Sequence, residues 1–444
     1  MEYTLDWLMK NDGFTCACGK RHFGLLKDCL IGEGALGRLP EMVRKHGGTH
    51  PFVLCDRETY DAAGERVCAL LQEAEIPYTL HIIRRTKPAP DERIVGEAVM
   101  FCDAGCDFVI AVGGGVINDT GKILSALKAC PDIYVSTAPS MDGFASASSS
   151  MEREGLKVSL NSRCPDVVIG DADILAAAPV HMIRSGIGDM TAKYISLVEW
   201  QIAALLIGEY YCPAVAELVK RSLAVCVENG AAAVAGDKTA VCRLTEGLVM
   251  SGLAMNYAGI SRPASGLEHY FSHLWEMMAL DRGTDYELHG IQVGVGTLIT
   301  LKLYDDIRNI KPSREVAEKF INEFSNDEWE KMIRDIFGQA ADTVIKQEYA
   351  IFHKNDKDRH AARLTKILDG WNDILRFIDE ELPETEKIAA LMKDLGMPMI
   401  PADIDISDED TVKAFIGSRD IRDKYLSSTM LWDLGLLYTT KLPE

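Results

Sequence analysis

The chain has 444 residues, a formal net charge of -20, 47% hydrophobic and 26% charged residues. That composition excludes a disordered or fibrous protein and leaves room for more than one domain. The acidic balance, with no basic patch, argues against nucleic acid and anionic membrane surfaces as partners.

The amino-terminal stretch MEYTLDWLMKNDG lacks the basic start and continuous apolar run of a secretory leader. No later segment reads as a run of roughly 20 apolar residues, so no membrane insertion is expected. A cytoplasmic protein with reduced cysteines is the expectation, and twelve cysteines lie scattered without a regular framework. FTCACGKRHF then places Cys16, Cys18 and His22 within seven residues. Two readings stand there: a structural metal held by soft ligands, or a turn at Gly19 flanked by packed cysteines.

From about residue 29, short apolar runs alternate with helical stretches. The runs are PFVLCD (51–56), YTLHII (78–83), FVIAVGG (108–114), IYVSTAP (133–139) and VVIGD (167–171). This alternation predicts an α/β domain with a Rossmann-like parallel sheet over residues 1–180. The stretch 149–162 suits a hairpin inserted before the last strand. After a boundary near 178–182 the apolar spacing changes to three- and four-residue steps, which predicts an all-helical domain over 181–444 and a substrate cleft between the two. HKNDKDRH (353–360) reads as a solvated helix face or loop.

AVGGGVINDTGK follows a strand and opens a helix. Gly113, Gly114 and Gly115 let the backbone approach a phosphate, whose charge the N-H groups of the following helix attract, although the same glycines also suit a plain turn. Asp119 fits the first helical turn as an acid. Asp56, at the end of a strand, is either a loop aspartate or an acceptor for an adenosine ribose, in which case NAD(H) is preferred to NADP(H).

Farther along, SGIGDMTAK supplies Asp189, SGLEHYFSHLWEM supplies His269 and His273 on one helical face, and ELHGIQ supplies His289. Two imidazoles and a carboxylate can hold a divalent ion with positions left open for substrate. Each residue taken singly also fits an ordinary cap or core position.

In order, GGGVINDTGK, STAPSMDGFAS, SGIGDMTAK, SRPASGLEHYFSH and LHG resemble the iron-containing alcohol dehydrogenase and dehydroquinate synthase superfamily, and within it the sn-glycerol-1-phosphate dehydrogenase branch. The resemblance runs from about residue 25 to about 305 and fits the last 140 residues more loosely. It implies a dehydroquinate synthase-like fold and a homo-oligomer. It also implies that Asp189, His269 and His289 are the ligands of one divalent metal (zinc, nickel or iron). His273 is then an active-site residue but not a ligand, the glycines, Asp119 and Lys122 form the pyrophosphate loop, and Thr137 and Ser140 line the dinucleotide path. Asp142 and Ser146 lie beside nicotinamide and substrate.

The implied reaction is reversible reduction of dihydroxyacetone phosphate to sn-glycerol 1-phosphate with NADH or NADPH, His273 supplying the proton. Arg262 and Lys193, with Lys157 as a weaker third, are candidates for binding the substrate phosphate. Three alternatives stay open: a polyol dehydrogenase, a cyclase of the dehydroquinate synthase type, and a non-catalytic metabolite or metal-binding protein.

Overall fold

The computed structural model describes residues 4–10, 13–85, 88–154 and 156–442. Met1 to Tyr3, Asn11 and Asp12 of the amino-terminal stretch, and Gly155 of the predicted hairpin, lie outside the described residues. Ten strands are described: β1 (Phe14–Thr15), β2 (Arg21–His22), β3 (Asp28–Gly32), β4 (Pro51–Asp56), β5 (Thr79–Ile83), β6 (Phe108–Gly113), β7 (Asp132–Ser136), β8 (Ser148–Arg153), β9 (Leu156–Asn161) and β10 (Val167–Asp171). Six form one sheet in the order β3-β10-β7-β6-β4-β5, parallel throughout. Strands β6, β7 and β10 are buried at every residue, as continuous apolar runs covered on both faces must be. The predicted strands and the 149–162 hairpin are all present.

Strand β4 leads to β5 on one side and β6 leads to β7 on the other, so the connections diverge between β4 and β6. The carboxyl ends of those two strands carry Asp56 and Gly113, and such a divergence is where open α/β sheets form their ligand crevice.

Eight helices matter below: α1 (Gly115–Lys128), α2 (Val180–Thr191), α3 (Lys193–Ile207), α4 (Pro213–Val234), α5 (Lys238–Ala258), α6 (Leu267–Arg282), α7 (His289–Ile307) and α8 (Lys357–Glu381). Within residues 180–207 an 18-residue window reaches a mean hydropathy of 1.2, long and apolar enough to cross a membrane, which the sequence reading did not register. Because 72% of that window is buried in protein, it is accounted for as core.

The chain forms two compact units. The first is Met1–Arg153, Lys157–Met190 and Pro213–Ser261; the second is Glu154–Leu156, Thr191–Cys212 and Arg262–Glu444. Strand-forming sequence does end near residue 180, but compactness divides the chain differently. Helices α4 and α5 pack on each other, and α5 also packs on β3 and on the short helix Ala172–Ala176, so both belong with the sheet.

The second unit centres on α6 and α7, buried along most of their lengths, with α3 packed on α8. In it the 353–360 stretch is the expected solvated face at Asp356 to Arg359, which are exposed, but departs from it at two residues. Lys354 is buried, with its ammonium donating to the carbonyls of Arg419, Arg422 and Lys424, and His360 is buried against the carbonyl of Asp433 at 2.9 Å. Charge alternation in the sequence does not reveal that three carbonyls converge on one lysine.

Candidate functional site

In the first unit the candidate dinucleotide site is built mainly of backbone. Gly113 closes β6, and a Cβ there would stand 2.6 Å from Ile117 Cγ1, closer than real contacts allow. Gly114 is the extended N-cap of α1 and gives no side-chain cap to the helix, so the first N-H groups are left for an anion. Thr137, buried after β7, donates its N-H to the Gly113 carbonyl at 3.2 Å and so fixes the turn from behind.

Asp119 and Lys122 pair with each other at 2.8 Å. The second Asp119 oxygen accepts from the Ser150 N-H at 3.0 Å, while the Lys122 ammonium donates to the Ser148 carbonyl at 2.6 Å, the Gly143 carbonyl at 3.2 Å and Ser146 Oγ at 3.4 Å. Their polar atoms are thus used in holding the 143–150 turn against α1. Asp56 caps a short helix, its Oδ1 accepting from the N-H and the hydroxyl of Thr59, each at 2.8 Å.

The STAPSMDGFAS segment is also held from several sides. Ser185 donates to the Ser140 carbonyl at 2.9 Å, and Asn256 bonds Ala145 and Ala147 at 2.6 and 2.7 Å. Ser251 Oγ donates to Asp142 Oδ2 at 2.7 Å, and the N-H of Asp142 donates to Asp189 Oδ2 at 2.9 Å. Asp189 is therefore buried, and one of its oxygens is oriented by the backbone of Asp142. The approach depends on Gly186, where a Cβ would sit 2.0 Å from the Pro139 carbonyl oxygen.

In the second unit α6 and the start of α7 bring together three imidazoles. Ring centroids of His269 and His289 are 5.3 Å apart, those of His273 and His289 5.5 Å at an interplanar angle of 20°, and those of His269 and His273 6.3 Å. The Nδ1 of His269 lies 2.8 Å from Glu268 Oε1. The Nδ1 of His289 lies 2.9 Å from Ser272 Oγ and 3.2 Å from Glu276 Oε1. A carboxylate accepts only, so Nδ1 of each ring carries the proton and Nε2 keeps the lone pair a metal takes. This donor set fits a divalent ion.

His273, Glu276 and His289 also place ligand atoms within 4.8 Å of one another, a trio the sequence reading did not include. Glu276, however, stands on the Nδ1 side of His289 and serves there as its acceptor.

Behind His269, Glu268 Oε1 also accepts from the Gly266 N-H at 2.7 Å, and Glu199 Oε2 accepts from the Leu267 N-H at 2.9 Å. Burial, then the neighbouring Glu268 carboxylate, push Glu199 up to about 7. These acids set the first turn of α6, and sequence spacing gave no sign of either.

Three cations meet the RPAS segment of the same unit, Lys193 and Arg262 buried and Lys424 half-buried. Lys193 donates to the Ala264 carbonyl at 3.1 Å, Lys424 donates to the Ser265 carbonyl at 3.1 Å, and Arg262 lies within the segment. Arg262 Nε bonds Glu209 Oε2 at 2.9 Å and Nη2 donates to the Tyr425 carbonyl, while Nη1 has no hydrogen-bond partner among the described residues. Burial, then Arg262 and Arg422, push Lys424 down to about 7. Lys424 lies some 160 residues after Arg262 and was invisible in the sequence. Lys354, which holds the 419–424 carbonyls, gives the carboxy-terminal region a part in placing it. Lys157, in the hairpin, sits 3.9 Å from Glu152.

The family described as iron-containing alcohol dehydrogenase matches residues 30–179. The chain is 32% identical to a glycerol-1-phosphate dehydrogenase [NAD(P)+] of Halalkalibacterium halodurans, over 92% of this chain and 93% of that one. It is 33% identical to the protein of that name from Methanosarcina acetivorans, over 63% of this chain and 77% of that one. Among solved structures, a probable glycerol dehydrogenase from Sinorhizobium meliloti superposes with a TM-score of 0.60 at 17% identity, covering 94% of this chain and 97% of that one, a likeness of fold.

Proposed function

The chain belongs to the glycerol-1-phosphate dehydrogenase family, and from that membership we propose that it interconverts dihydroxyacetone phosphate and sn-glycerol 1-phosphate with NAD(P)(H) and a divalent metal. The observation that carries the phosphorylated substrate is the convergence of Lys193 and Lys424 on the loop that holds Arg262, with Lys424 discouraged from holding its proton by desolvation and then by its cationic neighbours. A phosphate complements the charge of such a cluster.

Asp189, His269 and His289 are the proposed ligands. The ring anchoring by Glu268 and Glu276 supports the two histidines, and the backbone bond from Asp142 supports Asp189. An ion held there would polarise the ketone oxygen, and the bound nicotinamide would supply the hydride. His273 delivers the proton to the emerging hydroxyl oxygen, and its stacking on His289 fixes the ring for that transfer. Asp142, restrained by Ser251, positions a substrate hydroxyl.

The N-H groups of α1 and the Gly113–Gly115 turn bind pyrophosphate, with Thr137, Ser140 and Ser146 along the dinucleotide path and Asp119 and Lys122 bracing the turn. Asp56 is the proposed ribose acceptor, which favours NAD(H). A cytoplasmic homo-oligomer is proposed with these roles.

Arg262→Ala tests the reading. Its KM for dihydroxyacetone phosphate should rise about ten- to a hundredfold, while oxidation of free glycerol changes little. Equal loss on both substrates would instead favour a polyol dehydrogenase. Net consumption of NADH with dihydroxyacetone phosphate excludes the cyclase reaction, which returns its NAD.

A further inference from the structure

The FTCACGKRHF motif plays no part in the chemistry above, yet its side chains converge. Strands β1 and β2 pair as a hairpin, Phe14 opposite His22, and its turn is closed by Gly19 N-H to Cys16 carbonyl at 3.1 Å and Cys16 N-H to Lys20 carbonyl at 3.0 Å. Ligand atoms of Cys16, Cys18 and His22 all lie within 4.8 Å of one another.

The histidine is prepared for a metal. His22 is 1% exposed, and its Nδ1 is 2.8 Å from the Tyr257 carbonyl oxygen. A carbonyl cannot donate, so Nδ1 carries the proton and Nε2 offers its lone pair. That Nε2 faces Cys18 Sγ at 3.4 Å. Zinc bonds to thiolate and imidazole at tetrahedral angles put sulfur and nitrogen about 3.5 Å apart. The Cys18 N-H lies 3.5 Å from Cys16 Sγ and orients that sulfur within the turn. Carbonyl anchoring of the far ring nitrogen is also the usual support of a metal-bound histidine. No disulfide links the described cysteines.

We propose that Cys16, Cys18 and His22 form a second, structural zinc site, distinct from the ion of the proposed catalytic centre. Binding displaces the two thiol protons to solvent, and the fourth coordination position takes a water or a further thiolate. The site fastens the amino-terminal hairpin to the end of α5, where Tyr257 follows Asn256 and lies two turns beyond Ser251, the residues that hold Ala145, Ala147 and Asp142. Phe14 covers the joint, its ring centroid 5.0 Å from His22 and 6.0 Å from Tyr257.

The proposed catalytic ligands include no sulfur, so a spectroscopic test separates the two sites. The full-length protein loaded with cobalt(II) should develop a near-ultraviolet thiolate-to-cobalt charge-transfer band. The band should survive in His269→Ala and vanish in the Cys16→Ser/Cys18→Ser double variant. Metal analysis of the zinc-loaded wild type should find two ions per chain, one of them released when a mercurial blocks the thiols. Because the cobalt spectrum and the release are read on wild type, failure of the double variant to fold leaves the test intact. Absence of the band, its persistence in a folded double variant, or a single ion per chain unaffected by the mercurial would overturn the site and leave Cys18 as a thiol hydrogen-bonded to His22.

Discussion

In the first unit, the groups offered to a ligand at the end of β6 are backbone N-H groups, while the nearby charged side chains Asp119 and Lys122 are used to brace the turn. In the second unit, the groups offered where α6 meets the start of α7 are the imidazole nitrogens of His269 and His289, each ring held by an acceptor at its other nitrogen. A backbone site is damaged by whatever changes the path of the chain and tolerates much else. A side-chain site is lost with a single atom, and its acceptors matter almost as much as its ligands.

The largest expected effects fall on the side-chain site. His269→Ala should lose the catalytic ion and nearly all turnover while still binding NADH, read by metal analysis and by quenching of protein fluorescence on titration. His273→Ala should keep the ion and lose about 10²- to 10⁴-fold in kcat. Loss of metal in both variants would replace the division of labour with a chelating pair, and loss of NADH binding in the first would erase the contrast between the units.

Glu268→Gln preserves shape but weakens the acceptor at His269 Nδ1, so metal affinity should fall about 10- to 100-fold in competition with a chelator. Unchanged affinity would make Glu268 a structural acid only. Gly113→Ala acts in the opposite sense. The contact with Ile117 should cost about 1–3 kcal/mol, appearing as weaker NADH binding with metal content unchanged.

Legibility in the sequence follows the same contrast. The parallel sheet, its hairpin and the glycine turn were readable because period, apolar run length and glycine placement are local signals, and the histidines of α6 were readable from their spacing of four. The acceptors were not. Glu268 adjoins His269 in sequence, and neighbouring residues on a helix do not usually face each other, so nothing in the pattern announced their 2.8 Å contact. Lys424 and Lys354 were hidden for another reason, since contact with distant carbonyls depends on tertiary packing that charge patterning does not encode. For Arg262 the sequence reading named the residue and missed its burial and its half-buried partner Glu209.

The smallest predicted effect concerns pH and tests whether an anion binds beside Lys424 in the second unit. Lys424 faces Arg262 and Arg422, which lower its proton affinity together with burial, and Glu209 and Glu268, which raise it. Its folded value near 7 lies below the ordinary 10.5, so between those limits the unfolded chain binds the extra proton and stability rises with pH. A phosphate dianion reverses the preference by favouring the charged ammonium. Binding of inorganic phosphate should therefore take up a proton above pH 7, and its affinity should fall by at most about tenfold per pH unit there. Calorimetric titration in buffers of different ionisation enthalpy measures that uptake directly. Lys424→Met should abolish it and weaken phosphate binding at pH 7. Uptake persisting in the variant would move the anion-linked proton to another group and leave Lys424 as a support for the Ser265 carbonyl alone.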